Sequence, residues 1–212
     1  MIFEYFVRNR NLLILIFTLS YVAAFSVNAF FHRNLEFIYY TLLMVSLIYL
    51  ALILHRSLHY DFTIMFGFSV LGFIHLAGGN VYLGEMRLYD FYFIPGVLRY
   101  DNVVHTFGTF IVTILLYNLL ANYITVPLRK RYWVFALFLT LMALGVGTVN
   151  ELVEFLAVVF LNAEEAVGGY FNNSLDIVFN TIGSLLATVL IYIYRERPQF
   201  LQNLHDKAIS KS

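Results

Sequence analysis

Asp101 with His105, Glu151 with Glu154, and Asp176 with Asn180 interrupt sequence that is otherwise apolar. The members of each pair stand three or four positions apart, so on a helix each pair occupies one face. An ionisable side chain at membrane depth costs about 2.5–3.5 kcal/mol on insertion scales. Three independent accidents of that size in 212 residues are not expected, and a shared site is the default reading. With His75 added, the set holds two imidazoles (His75, His105), four carboxylates (Asp101, Glu151, Glu154, Asp176) and the amide of Asn180. Mixed imidazole and carboxylate donors suit Zn, Mn or Fe(II) and argue against copper(I) or an iron–sulfur cluster. Two carboxylates at i, i+3 on one helix are also how di-metal bundles direct ligands inward. Four like charges in one pocket repel unless a cation or shared protons neutralise them. The metal version assigns His75, His105, Glu151 and Asp176 as ligands, with Glu154 as general base on a metal-bound water. Asp101, one turn before His105, orients the imidazole or takes part in catalysis. Arg87 and Arg99 are candidates to hold an anionic head group, with Glu85 and Asn180 as further substrate contacts.

The elements that must position these residues follow from composition. The chain is 61% hydrophobic and 12% charged, where soluble domains carry about 25% charged residues. Apolar stretches of about 20 residues recur along it, each long enough to cross a hydrocarbon core of roughly 30 Å. Six spans are predicted, at about 12–31, 35–54, 62–77, 102–121, 133–160 and 174–194, in one integral domain covering 1–212. The fold class is all-α, a polytopic helical membrane protein, since the ten-residue alternating strands of a barrel are absent. The first span follows Arg8 and Arg10 as a signal peptide would, but no small-residue cleavage site succeeds it, so it reads as an uncleaved helix. The absence of cysteine excludes disulfides and thiolate metal sites. A formal net charge of zero implies no nucleic-acid partner; the partner is the bilayer.

Orientation follows from the bias of basic residues. Of 13 Lys and Arg, ten fall on one side: Arg8, Arg10, Arg56, Arg129, Lys130, Arg131, Arg195, Arg197, Lys207 and Lys211. Only Arg33, Arg87 and Arg99 fall on the other, which predicts both termini cytoplasmic. Tyr132, Trp133, Tyr192 and Tyr194 form an inner aromatic belt. The outer loops, 78–101 and 161–173, are the long ones. Loop 78–101 carries Tyr82, Tyr89, Phe91, Tyr92 and Phe93, and is expected to lie in the outer interface or to fold back over the bundle.

Rises of about 1.5 Å per residue set the depths. Glu151 lies roughly 30 Å from the cytoplasmic edge, Asp176 and His105 near 27 Å, and His75 about 21 Å up. Four helices thus bring polar groups to the outer half of the membrane. There such groups should face the bundle interior or a water-filled cavity and pair. The fifth span is long enough to protrude or to bend at Gly145 or Gly147.

Blander readings stand beside these. A polar network also holds helices together, at about 0.6 kcal/mol per hydrogen bond. His55 and His59 read as interfacial beside Arg56, His32 and His205 carry no signal, and Glu164 and Glu165 read as solvated loop charges. Gly67, Gly72, Gly183 and Ser184 read as close helix contacts.

The string His75-Leu-Ala-Gly78-Gly79-Asn-Val-Tyr82-Leu-Gly-Glu85, followed by Tyr100-Asp101-Asn-Val-Val-His105 and by Glu151-Leu-Val-Glu154, resembles the YjdF-type inner-membrane family. Asp176-Ile-Val-Phe-Asn180-Thr-Ile-Gly183 instead resembles the closing Asp-x-x-x-Asn-x-x-Gly of VanZ-like membrane proteins, where the first family has Gln-Gly-Asp and Trp-Asp. The similarity covers roughly residues 70–190. It implies a multi-pass protein of a bacterial-type plasma (inner) membrane and supports the site residues, without supplying an activity. The leading function is a metal-dependent hydrolase or transferase acting on a lipid-linked or cell-envelope substrate. A proton- or ion-coupled transporter is second, although the charges sit near one face and no inverted repeat is evident. A non-catalytic membrane module with a structural polar network is third.

Overall fold

A computed structural model describes residues 9–58, 61–121, 123, 131–162 and 169–196. Six helices follow the apolar stretches: α1 Arg10–Phe31, α2 Leu35–Leu58, α3 Phe62–Asn80, α4 Tyr100–Leu120, α5 Tyr132–Leu161 and α6 Tyr170–Ile191, the last continued by a π-helical turn Tyr192–Glu196. Among the described residues, five of them are long and apolar enough to cross a membrane; the side chains of α2 are described continuously only over Leu35–Tyr49. The chain is an all-α polytopic membrane protein. His59, Arg8, Arg129, Lys130, Glu164, Glu165, Arg197, His205, Lys207 and Lys211 lie outside the described residues, as do the side chains of His55, Arg56 and Arg195.

The burial pattern is that of a bilayer protein. Large apolar side chains face outward, among them Phe30, Leu42, Phe66, Leu141 and Leu185. Thr18, Ser69, Asn102, Thr113, Asp176 and Ser184 are buried. Lipid is as apolar as leucine, so close contact and hydrogen bonds, rather than hydrophobic sorting, decide which helix faces meet. Thr18 pairs with Ser69 at 2.7 Å between α1 and α3, and Thr113 donates to Ser184 Oγ at 3.0 Å between α4 and α6. Helix α4 is central, packing against α3, α5 and α6. It meets α6 closely at Gly183, where an added Cβ would run into the Thr106 carbonyl and the Thr109 hydroxyl.

Apolar clusters fill the two ends. One gathers Phe37, Leu76, Tyr89, Val104 and Ala157; the other gathers Tyr117, Tyr132, Phe135, Leu139 and Ile191. The first cluster lies under residues 81–99, which form two short antiparallel hairpins, β1 Tyr82–Leu83 with β2 Met86–Arg87 and β3 Tyr92–Ile94 with β4 Leu98–Arg99. Between them a 3₁₀ turn, Leu88–Asp90, carries Tyr89 inward. Gly84 and Gly96 turn the hairpins with φ of 68° and 70°, which a side chain would resist.

One expectation is revised and one open alternative is narrowed. Helix α3 does not stop at 77 but runs to Asn80, because Asn28 and Asn34 donate to the Asn80 and Gly79 carbonyls at 3.3 and 3.2 Å. The rings of Tyr89 and Phe37 occupy the space where side chains at Gly78 and Gly79 would stand. Helix α5 runs unbroken for 30 residues, about 45 Å, so it overhangs the core and has no interruption at its glycines. Gly147 instead makes room for Asn180 and Thr109, while Gly145 faces open space.

Candidate functional site

The polar residues converge at the end of the bundle covered by the hairpins. Asp101 and His105 lie on consecutive turns at the start of α4, and Asp176 faces them from the start of α6. One ligand atom from each of Asp101, His105 and Asp176 fits within 4.8 Å of the others. His105 Nε2 stands 3.5 Å from Asp101 Oδ1 and 3.7 Å from Asp176 Oδ1. These separations are long for hydrogen bonds. They match the roughly 3.4 Å between neighbouring donors on a tetrahedral ion with bonds of about 2.1 Å.

The outward oxygen of each aspartate is held. Arg99 Nη2 donates to Asp101 Oδ2 at 2.7 Å, and Asn172 Nδ2 donates to Asp176 Oδ2 at 2.9 Å. Arg99 also donates to Asn172 Oδ1, which ties the two supports together. Asn102 accepts the Arg99 backbone N–H at 2.9 Å and donates to Asp176 Oδ1 at 3.3 Å, linking the start of α4 to α6. Both carboxylates are therefore oriented so that one oxygen faces the imidazole. At Arg99, burial works against the charged form, but the Asp101 carboxylate outweighs it and holds the guanidinium above its ordinary pKa.

Behind the imidazole, Glu151 Oε1 lies 3.8 Å from His105 Nδ1. Both Glu151 oxygens are buried, and neither makes a hydrogen bond among the described residues. Asn150, beside it, gives its amide to Glu154 Oε1 at 2.8 Å. The sequence reading placed Glu151 among the ligands and Asp101 behind them; the geometry groups Asp101 with His105 and Asp176 and sets Glu151 on the other ring nitrogen. Asn180 is buried one turn below Asp176, against Gly147.

A cavity of about 30 Å³, room for about two waters, adjoins the cluster. Asp101, Glu154, His75, Tyr40, Arg87 and Arg99 line it, with Glu36, Asp90, Phe37 and Tyr89. His75 is not in the three-residue cluster. Its Nδ1 pairs with the Tyr89 hydroxyl at 2.5 Å, and its ring sits among Phe37, Tyr40 and Tyr89. Burial pushes the Tyr89 phenol well above its usual pKa, so it stays neutral. Arg87 roofs the cavity, bound to Glu36 at 3.3 Å and Asp90 at 3.2 Å, and lies over the Tyr89 ring. Burial would lower its pKa, but the Asp90 and Glu36 carboxylates outweigh that and keep it charged. Glu85 lies apart, exposed in the first hairpin turn.

Sequence reasoning missed Asn102, Asn172, Tyr40 and Glu36. Asn172 stands four positions before Asp176, the spacing that singled out the other pairs. Glu36, a lone acid at the edge of an apolar stretch, carried a weaker version of the same signal.

Residues 13–197 match the family model described as predicted membrane protein (DUF2238). No curated protein and no solved structure matches the chain.

Proposed function

Since the chain belongs to the predicted membrane protein (DUF2238) family, whose description names no activity, the reading must come from the site, and we propose that it holds a catalytic divalent cation. Asp101 Oδ1, His105 Nε2 and Asp176 Oδ1 are the ligands, and Zn, Mn or Fe(II) are the ions such donors suit. The carrying observation is that each of these atoms is turned to a common point while the other oxygen of each aspartate is tied to Arg99 or Asn172. Glu151 Oε1, 3.8 Å from His105 Nδ1, stands on the side from which a carboxylate orients a metal-bound imidazole.

Charge supports the same reading. The cluster and cavity gather six carboxylates (Glu36, Asp90, Asp101, Glu151, Glu154 and Asp176) against the two guanidiniums of Arg87 and Arg99. Such an excess of negative charge in a membrane protein is neutralised by a bound cation or by protons, and a cation at His105 would supply the first. Because both arginines already carry acidic partners, an anionic head group at Arg87 or Arg99 would share the guanidinium with Asp90 and Glu36, or with Asp101.

The reaction this set suits is hydrolysis or group transfer on a lipid-linked or envelope substrate at the outer leaflet. In hydrolysis, water attacks the electrophilic carbon or phosphorus as its proton passes to Glu154. The bond to the leaving oxygen breaks, and that oxygen takes the proton back. The test incubates purified protein with total envelope lipid extract after chelation and after return of Zn, Mn or Fe(II), with mass-spectrometric readout. Metal-dependent conversion of one lipid class that disappears in Glu154→Gln is expected. Identical lipid profiles in all arms would contradict the enzymatic reading.

A further inference from the structure

The hairpin segment at residues 81–99 has a surface unlike that of an aqueous loop. Its two exposed runs, 81–86 and 92–97, read VYLGEM and YFIPGV, with Glu85 the sole charged residue in either. Leu83 is 49% exposed, Phe93 52% and Val97 59%. Hairpin turns in water favour polar residues. Contiguous exposed apolar surface marks a binding face, and here all of it lies on one connected element. The charged residues Arg87, Asp90 and Arg99 are turned the other way, toward the cavity.

The turn between α1 and α2 lies at the same level, because Asn28 and Asn34 bind the last carbonyls of α3, which leads directly into β1. That turn exposes Phe30, Phe31 and Leu35 beside the exposed His32 and Arg33, so the apolar girdle of the helices reaches its polar margin at the level of the hairpins. Tyrosines at the margin of such a girdle, as at Tyr82 and Tyr92, suit the boundary between head groups and acyl chains.

We propose that the two hairpins are seated in the head-group and upper acyl region of the bilayer, with 81–86 and 92–97 in contact with lipid. The hairpins then form a membrane-embedded rim around the cavity, and the molecules brought to that rim are amphiphiles already dissolved in the leaflet. This assignment does not depend on a metal being bound.

The chain has no cysteine, so single spin labels can be placed without removing native thiols. Leu83→Cys, Phe93→Cys and Val97→Cys are labelled in the full-length protein and reconstituted in phosphatidylcholine vesicles. Collision with oxygen, which concentrates in lipid, is compared with collision with a water-soluble nickel chelate. Tyr82→Cys and Ile94→Cys replace any variant that loses helical content or monodispersity. Oxygen collisions several-fold above nickel collisions at two or more positions support lipid contact. Nickel collisions equal or greater at two or more positions would overturn it.

Discussion

His105 is contacted on both ring nitrogens by carboxylates, and its neighbours differ in what they can do for it. Asp101 and Asp176 approach Nε2 with oxygens whose partner oxygens are tied down, whereas Glu151 approaches Nδ1 alone. Removing Glu151 should therefore leave a complete ligand set in a poorly oriented state. Glu151→Ala should weaken metal affinity by about 10- to 100-fold, and Glu151→Gln, whose amide oxygen can still accept the Nδ1–H, should recover most of it. Titration of chelated protein with metal separates the two. Asn172→Ala, which releases Asp176 Oδ2, should lose affinity in the same range. The residues on which these predictions rest were partly legible in sequence. His105, Asp101 and Asp176 announced themselves as ionisable groups in apolar surroundings. Which oxygen of which acid faces the imidazole depends on Arg99, Asn102 and Asn172, and no spacing rule encodes how three side chains from two helices interlock.

At the scale of elements, the site depends on how closely α4 and α6 approach. Gly183 brings the backbones together, and Asn102 and Asp176 meet one to two turns above that crossing. A methyl at Gly183 meets backbone atoms of Thr106 rather than a flexible side chain. Gly183→Ala should destabilise the protein by about 1–3 kcal/mol, by the usual penalty of overpacking. Gly145→Ala, in open space, should change stability by less than about 1 kcal/mol. Thermal or SDS unfolding of the two variants measures the contrast. Apolar length alone located all six helices to within a few residues. Their ends at the site were harder to read, because Gly78 and Gly79 stay helical through contacts with Phe37 and Tyr89, which are distant in sequence or beyond an intervening turn. The 30 residues of α5 left protrusion and a bend both open; the helix is unbroken, and Gly147 packs against Asn180.

For the whole molecule, an outer shell of apolar side chains encloses a polar seam that ends under the hairpins. The bias of basic residues predicts that this end faces outside. Single cysteines at Glu85 and Thr125 in oriented cells should show it: an impermeant maleimide should label the first and spare the second, and the reverse would invert the orientation. The family match establishes what kind of protein this is and leaves its chemistry to the site. A cation held by Asp101, His105 and Asp176 would neutralise the excess of carboxylates around them. The most direct measurement is the metal content of the full-length purified protein beside His105→Ala and Asp176→Asn, with helical content recorded for each. One equivalent of Zn, Mn or Fe in the native protein, falling below a tenth in both folded variants, is the predicted result. Native protein that stays metal-free after incubation with each of these ions, or variants that keep the full equivalent, would contradict it.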